Sequence, residues 1–488
     1  MKKESYFLLI TIISSLLLSF LHCPFLEIFF DDKEIFKYAG LVISKGGIPY
    51  RDFFDHKPPL IFFLNWLGQL MGPWGLWLMD SILVLFASFL FLALCRKYKL
   101  SYPWMLPVIF NLLLRNFSVS YGIGMTREYT ALLLLIFFCV LMGHSKYRYF
   151  LLGLLSSCIF FMQQDQVLLL IPFFIYLGFS DFGYFRIRPF TVLGSMCLGF
   201  LALAAPLLLY FSLNHSLTYF WEDAFLFNFN WYTEKKPLLQ HLRVIKDELE
   251  RSKYDLTFYG SVALGAFSLI SGNKKKWLLL VSLIVVFLSF CSEFLSGKMI
   301  FGLSVRYYLL PLAASLPILL FTIFSFSDKL FSQNRLHPMI YGTFISIGLL
   351  LNILQGVSNS TKSQGDWVKN SSASLFLGKQ VIHDYQLYVV NNSNYIYLYN
   401  KFRILAPSKW IYHQFWRWYD GWDPDNKKLA SITQDLQKHQ TTYILDFSDD
   451  SSFKNHSNFL YWQYFLQSHY SPVVLDSMDK KMVLWKIK

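Results

Sequence analysis

Asp31, Asp32, Glu34, Asp52, Asp55, His56 and Lys57 all fall in one polar stretch, Phe30–Leu60, between two apolar segments. Carboxylates of this kind accept the proton of an attacking hydroxyl. An ammonium holds a phosphate as a point charge. Charged groups beside a membrane are costly unless they are paired, solvated or used. The stretch therefore reads as the working edge of a membrane enzyme.

Later segments add to this set. Arg127 and Glu128 stand in GMTREYTALLLL, where a helix enters an apolar run. A carboxylate there also suits the helix dipole, so Glu128 reads either as a cap or as a reacting group. Asp32 and Glu128 together have the chemistry to activate a hydroxyl or to hold a divalent metal, and the sequence leaves both open. Lys57 precedes Pro58-Pro59, which fix the chain's entry into the next apolar segment. It reads as a phosphate contact or as a lysine snorkelling to the interface. Arg306 opens RYYLLPLAA, with Lys298 close by, and such cations suit an anionic headgroup. Two ring-rich segments follow a different chemistry. FWEDAFLFNFNWY, from Phe220, suits an interfacial belt, the flank of a lipid tail or sugar stacking, and the cluster from Trp410 to Trp422 suits a packing face or sugar stacking. Asp80 stands within an apolar span and has no evident partner in the sequence.

These residues need a scaffold. Of the 488 residues 55% are hydrophobic and 15% charged, below the usual quarter of a soluble domain. Repeated apolar runs make the chain an α-helical polytopic membrane protein, with about eleven transmembrane helices. The expected spans are Tyr6–Leu21, Trp74–Leu94, Pro103–Phe117, Tyr129–Met142, Tyr149–Met162, Val167–Phe179, Phe190–Leu213, Leu256–Ile270, Trp277–Phe294, Tyr307–Phe326 and Pro338–Leu354. The net charge of +13 does not point to nucleic acid, because basic residues cluster in every second short loop, on the side of Lys2 and Lys3. By the positive-inside rule that side is cytoplasmic, which puts the N-terminus inside and the polar stretch outside. The six cysteines have no metal-ligand spacing and read as small buried hydrophobes. From 358 onward the chain turns polar. Strands are expected at Leu387–Val390, Tyr443–Asp446, Val473–Leu475 and Met482–Ile487, with a helix at Lys427–Lys438. The expected domains are therefore a membrane part, 1–357, and a small extracytoplasmic α/β domain, 358–488.

The first loop resembles the GT-C glycosyltransferase superfamily. It is most similar to the family 39 group, which includes protein O-mannosyltransferases and the lipid A aminoarabinose transferase. The resemblance rests on Asp32, Tyr38-Ala39-Gly40, Gly46, Pro49-Tyr50-Arg51-Asp52 and Asp55-His56-Lys57-Pro58-Pro59-Leu60. Arg127-Glu128 and Arg306-Tyr307-Tyr308-Leu309-Leu310-Pro311 extend it, and the plan of helices followed by an outer domain fits nearly the whole chain. The chain departs from the pattern at Lys33, at His56 and at Gln163-Gln164-Asp165.

The resemblance implies transfer of a sugar from a polyprenyl-phosphate carrier to a hydroxyl of an envelope lipid, glycan or protein, with inversion. It implies Asp32 as the base, Glu128 in the same site, and Lys57 and then Arg306 on the carrier phosphate. Asp55, His56, Tyr307 and Lys298 complete the candidate substrate contacts. It also implies the inner membrane of a bacterium, with the C-terminal domain in the periplasm. Read without the resemblance, the same features leave room for a transporter or flippase of a lipid-linked or anionic substrate. Such a protein would place its charges near the bilayer midplane and show paired halves.

Overall fold

In lipid every backbone N–H and C=O must be satisfied within its own segment, so apolar runs become helices. The computed structural model describes residues 2–25, 31–116, 123–179, 189–232, 243, 246–247, 249–250, 255–271, 275–292, 306–326, 347, 350, 368–411, 423, 425–447, 459–474 and 482–488. Lys298, most of the expected span Pro338–Leu354, the rings from Tyr412 to Trp422, and the basic residues Arg186, Arg188, Lys274, Lys329 and Arg335 lie outside the described residues. Contacts divide the chain into two compact units. One takes Met1–Glu27, Pro73–Tyr210 and Thr233–Lys362; the other takes Ile28–Gly72, Phe211–Tyr232 and Ser363–Lys488. The segment expected to start a separate domain at 358 is thus grouped, from 363, with the first polar stretch and with part of the third outer loop.

The first unit is helical. Its described helices include Lys2–Phe20, Gly75–Lys97, Met105–Leu114, Thr126–Met142, Arg148–Met162, Lys276–Phe290 and Leu312–Phe326. Gly75–Lys97 and Phe190–Leu213 are long and apolar enough to cross a membrane unaided; the other apolar helices run to 10–17 residues. Two expected spans are interrupted. Val167–Phe179 resolves into a 3-10 segment, Gln164–Leu170, and a helix, Ile171–Leu177, with Pro172 in its first turn. Tyr307–Phe326 begins with a 3-10 turn, Arg306–Leu309, before the helix Leu312–Phe326.

Small and polar side chains join these helices, as expected where lipid removes the hydrophobic drive for association. Asn111 Nδ2 donates to Ser15 Oγ at 2.8 Å, and Ser88 Oγ donates to Asn111 Oδ1 at 3.1 Å. One amide therefore ties three helices. A Cβ placed on Gly199 would lie 1.9 Å from the carbonyl of Phe150, so the glycine is what lets those two helices touch backbone to backbone.

The second unit contains a four-stranded sheet in the order β1-β2-β4-β3: β1 Leu387–Val390, β2 Tyr443–Asp446, β3 Tyr470–Val473 and β4 Val483–Ile487. β1 and β2 are parallel, and the remaining pairs are antiparallel. Both β1 and β2 are buried along their full length, as strands covered on both faces must be. Leu429, Ile432 and Leu436, spaced along one stripe of the helix Lys427–Lys438, pack with Tyr388, Ile444 and Trp462. Asp423 accepts from the N–H groups of Lys428 (2.8 Å) and Leu429 (3.0 Å), satisfying donors that the helix start leaves open. The third strand lies about three residues earlier than Val473–Leu475. Tyr470 is buried and its hydroxyl donates to the carbonyl of Thr441 at 3.0 Å, which fixes the strand there. Pro472 is tolerated because β3 is an edge strand.

Two helices absent from the sequence reading, Asp31–Ser44 and Leu60–Leu70, arise from the first polar stretch and the run after it. Gln69 Nε2 donates to the carbonyl of Lys37 at 2.6 Å and ties the two together. The stretch is also bonded to the C-terminal segment. Asn400 Nδ2 donates to the carbonyl and to Oε2 of Glu34, both at 2.8 Å. The Ala406 N–H donates to the Tyr38 hydroxyl at 2.8 Å, and the Phe54 N–H to the Lys409 carbonyl at 2.7 Å.

Candidate active site

In the second unit Asp32 sits in the first turn of the helix Asp31–Ser44 and is half-buried. The helix gives way to a turn at Gly46, and Tyr50 adopts a left-handed backbone with φ of 67°. That conformation is rare for a bulky residue and costs about 1–2 kcal/mol. Packing holds it: the Tyr50 ring is fully buried against Phe62, Phe211 and Phe220, with centroids 5.4–5.8 Å apart.

The conformation aims the Tyr50 hydroxyl at the carbonyl of Lys57, to which it donates at 2.7 Å. Burial, helped by Asp55 and Asp223, pushes this phenol well above its ordinary range, so it keeps its proton and donates. Asp55 Oδ1 accepts from the Lys57 N–H at 2.7 Å. Asn228 Nδ2 donates to the carbonyl of His56 at 2.8 Å. Lys57 is itself buried, at 6% exposure, and Pro58-Pro59 lead directly into the helix Leu60–Leu70. Three side chains thus pin the main chain of the Lys-Pro-Pro segment. Such an arrangement presents a cation at a fixed place.

In the first unit Glu128 lies in the first turn of the helix Thr126–Met142 and is fully buried. Its Oε1 accepts from Arg115 Nη1, and its Oε2 from the N–H of Gly124 at 3.1 Å. Gly124 has φ of 105°, a conformation that glycine adopts without a Cβ penalty. Arg115 Nη2 donates to Asp80, so one guanidinium bridges two carboxylates in a wholly buried cluster. Asp80, which has no evident partner in the sequence, therefore has one in the fold. Beside Glu128 in sequence, Arg127 pairs with Asp165 at 3.0 Å, bonds Ser292, and stacks 3.9 Å from the ring centroid of Tyr308. Gln163 Nε2 and Gln166 Nε2 hold the same Asp165 carboxylate at 2.5 and 2.7 Å. Gln163-Gln164-Asp165, a departure from the family pattern, thus supplies the carboxylate for Arg127.

Among the candidates, the fold brings Asp55, His56 and Lys57 together in one pinned segment. Lys298 lies outside the described residues, as do the side chains of Arg306 and Tyr307. A metal on Glu128 would compete with Arg115 and the Gly124 N–H for both carboxylate oxygens. No group of three or more His, Cys, Asp or Glu side chains gathers for a metal among the described residues. The described residues do not fit a metal centre.

Sequence reasoning missed Arg115 and, although Tyr50 stands in the Pro49-Tyr50-Arg51-Asp52 motif, it missed the bond that Tyr50 makes to Lys57. An arginine ending an apolar run is the signal for the first, since a buried charge implies a partner. No local signal marks the bond of Tyr50, which depends on its backbone conformation.

The whole chain resembles solved structures. ArnT from Cupriavidus metallidurans in the apo state matches at a TM-score of 0.61 with 11% identity, over 99% of this chain and 98% of that one. The chain has the fold of ArnT. ArnT from the same organism bound to undecaprenyl phosphate matches at 0.59, again with 11% identity, over 98% and 97%. An Archaeoglobus fulgidus oligosaccharyltransferase in the apo form matches at 0.49 with 11% identity, over 98% of this chain and 74% of that one. No family model and no curated protein matches the sequence. That fold is the one the resemblance of the first loop implies.

Proposed function

We propose that this chain is a membrane glycosyltransferase that moves a sugar from a polyprenyl phosphate to a hydroxyl of an envelope lipid, glycan or protein. The observation that carries the reading is the pinned Lys57, a buried cation fixed through its own N–H and C=O on a chain with the ArnT fold.

The acceptor oxygen attacks the anomeric carbon while the bond from that carbon to the carrier phosphate oxygen breaks, so the configuration inverts. Asp32 takes the acceptor proton. The phosphate leaves as an anion, and Lys57, with Arg306, holds the charge that develops on it. Asp55 acts through Lys57 by fixing its main chain, and His56 and Tyr307 flank the donor. Under this reading Glu128, which accepts from Arg115, belongs to the same reaction. No step is routed through a metal. The reading places the protein in a bacterial inner membrane, with residues 358–488 in the periplasm.

The test is sugar transfer by the purified full-length protein with a panel of polyprenyl-phosphate sugars. Wild type is expected to release the carrier phosphate. Asp32→Asn is expected to lose at least 100-fold in turnover, in line with removal of a general base, and Lys57→Met to lose donor affinity and turnover. Equal turnover by Asp32→Asn would move the base elsewhere. Absence of turnover with every donor, together with movement of a lipid-linked sugar between leaflets of a vesicle, would replace the transferase with a flippase.

A further inference from the structure

The second unit carries a half-open cavity of about 950 Å³, at the upper end of the ~300–1,000 Å³ typical of small-molecule sites. It lies apart from the Lys57 side chain, and the proposed reaction uses none of its lining residues. The end of the helix Asp31–Ser44 and the turn after it form one wall. The segment 219–230 forms a second, and residues 405–410 with the helix Lys427–Lys438 form a third. The two ring-rich segments of the sequence meet here, through Phe227 and Trp410, with Tyr219 just before the first.

The wall is charged but balanced. Arg51 grips Asp52 with two parallel bonds, 2.9 and 2.8 Å long. Lys409 Nζ lies 3.1 Å from Asp223 Oδ2 and 3.1 Å from the Tyr50 carbonyl. The same ammonium sits 4.9 Å from the ring centroid of Tyr219 and 4.7 Å from that of Trp410. Trp410 is held in place by its carbonyl, which accepts from Tyr388 at 2.8 Å, and by the Phe54 ring at 5.1 Å. Tyr219 is 40% exposed and offers its ring.

These features select a ligand chemistry. An anion entering the cavity would meet the carboxylates of Asp52 and Asp223, and a cation would meet Arg51 and Lys409. A lipid tail would strip water from these pairs and offer them no hydrogen bond in return. A neutral sugar meets each group productively: its hydroxyls donate to the carboxylates and accept from the cations, and its C–H face lies on a ring. We infer that this cavity binds a neutral oligosaccharide, which under the transferase reading is the glycan part of the acceptor.

The test is ligand binding by the full-length protein in lipid nanodiscs with no donor present. The probes are neutral tri- and tetrasaccharides of hexoses, N-acetylhexosamines and deoxyhexoses, with trigalacturonate as the anionic control. Saturation-transfer NMR and calorimetry read the binding. At least one neutral probe is expected to bind in preference to trigalacturonate. Tyr219→Ala is expected to weaken it roughly tenfold and Tyr219→Phe to leave it unchanged, with both variants melting like wild type. Binding to none of the neutral probes, preference for the anionic control, or an unchanged affinity in Tyr219→Ala would overturn the inference. Binding that persists in a protein with no transfer activity sinks the transferase reading and leaves the cavity assignment standing. Transfer to a glycan acceptor that is indifferent to Tyr219→Ala does the reverse.

Discussion

Tyr50 donates its hydroxyl to the carbonyl of Lys57 at 2.7 Å, across a turn that Tyr50 itself makes with a left-handed backbone. A phenol and a main-chain oxygen thus set where the lysine side chain starts. Tyr50→Phe keeps the packed ring and deletes the bond. It is expected to cost about 1 kcal/mol of stability and to raise the KM for the lipid-linked donor more than it lowers kcat. A melting curve and a donor titration check this. Wild-type kinetics in the variant would show that the bond positions nothing.

Arg115 bridges Asp80 and Glu128 where all three side chains are removed from solvent. Arg115→Met leaves two carboxylates buried without their counter-charge, a loss of about 3–5 kcal/mol. Arg115→Lys is expected to recover only part, because an ammonium lacks the planar fork that spans two acids. Thermal unfolding in detergent separates the outcomes, and an unshifted melting point for Arg115→Met would contradict the role.

Burial pushes the Asp223 carboxyl up to about 6, with Lys409 opposing and Glu222 adding to the rise, while Lys428 nearby also opposes it. The folded protein therefore binds this proton more tightly than the unfolded chain, whose carboxyl titrates near 3.8. The contribution is fully present below the unfolded value and is lost as pH rises through about 6. It amounts to as much as about 3 kcal/mol. Asp223→Asn is expected to flatten the stability profile between about pH 4 and 6, as read by chemical unfolding at a series of pH values. An unchanged slope would show that the group does not titrate there.

Asn400 reaches both acceptors of Glu34 from one nitrogen. Asn400→Ala is expected to destabilise the second unit by about 1–2 kcal/mol and to speed amide exchange in the helix Asp31–Ser44. Hydrogen exchange with mass spectrometry resolves that helix. Faster exchange confined to residues near 400 would argue that the two segments are not coupled.

What the sequence disclosed follows how far each signal travels along the chain. Leu387–Val390, Tyr443–Asp446 and Lys427–Lys438 are legible because alternation and helical spacing are local, and all three stand where they were expected. The first polar stretch does not read as a helix because the charges Asp31 to Glu34 open it, although Ile35, Phe36, Ala39 and Val42 are buried along it. Asp80 looked solitary because its partner is 35 residues away in sequence, at the end of another helix. The Lys-Pro-Pro lysine was legible from its prolines; the tyrosine that fixes it was not, because a positive φ leaves no mark on residue type.

The bonds from Glu34 and Tyr38 to Asn400 and Ala406 cross 366 and 368 residues of chain. A ribosome adding about 5–20 residues per second takes roughly 20–70 s to cover that distance. During this interval the stretch that carries Asp32 and Lys57 exists without the segment that holds it. Assembly of the second unit is therefore a late event in the life of each molecule. A partly synthesised chain therefore lacks the bonds that tie the helix Asp31–Ser44 to the C-terminal segment.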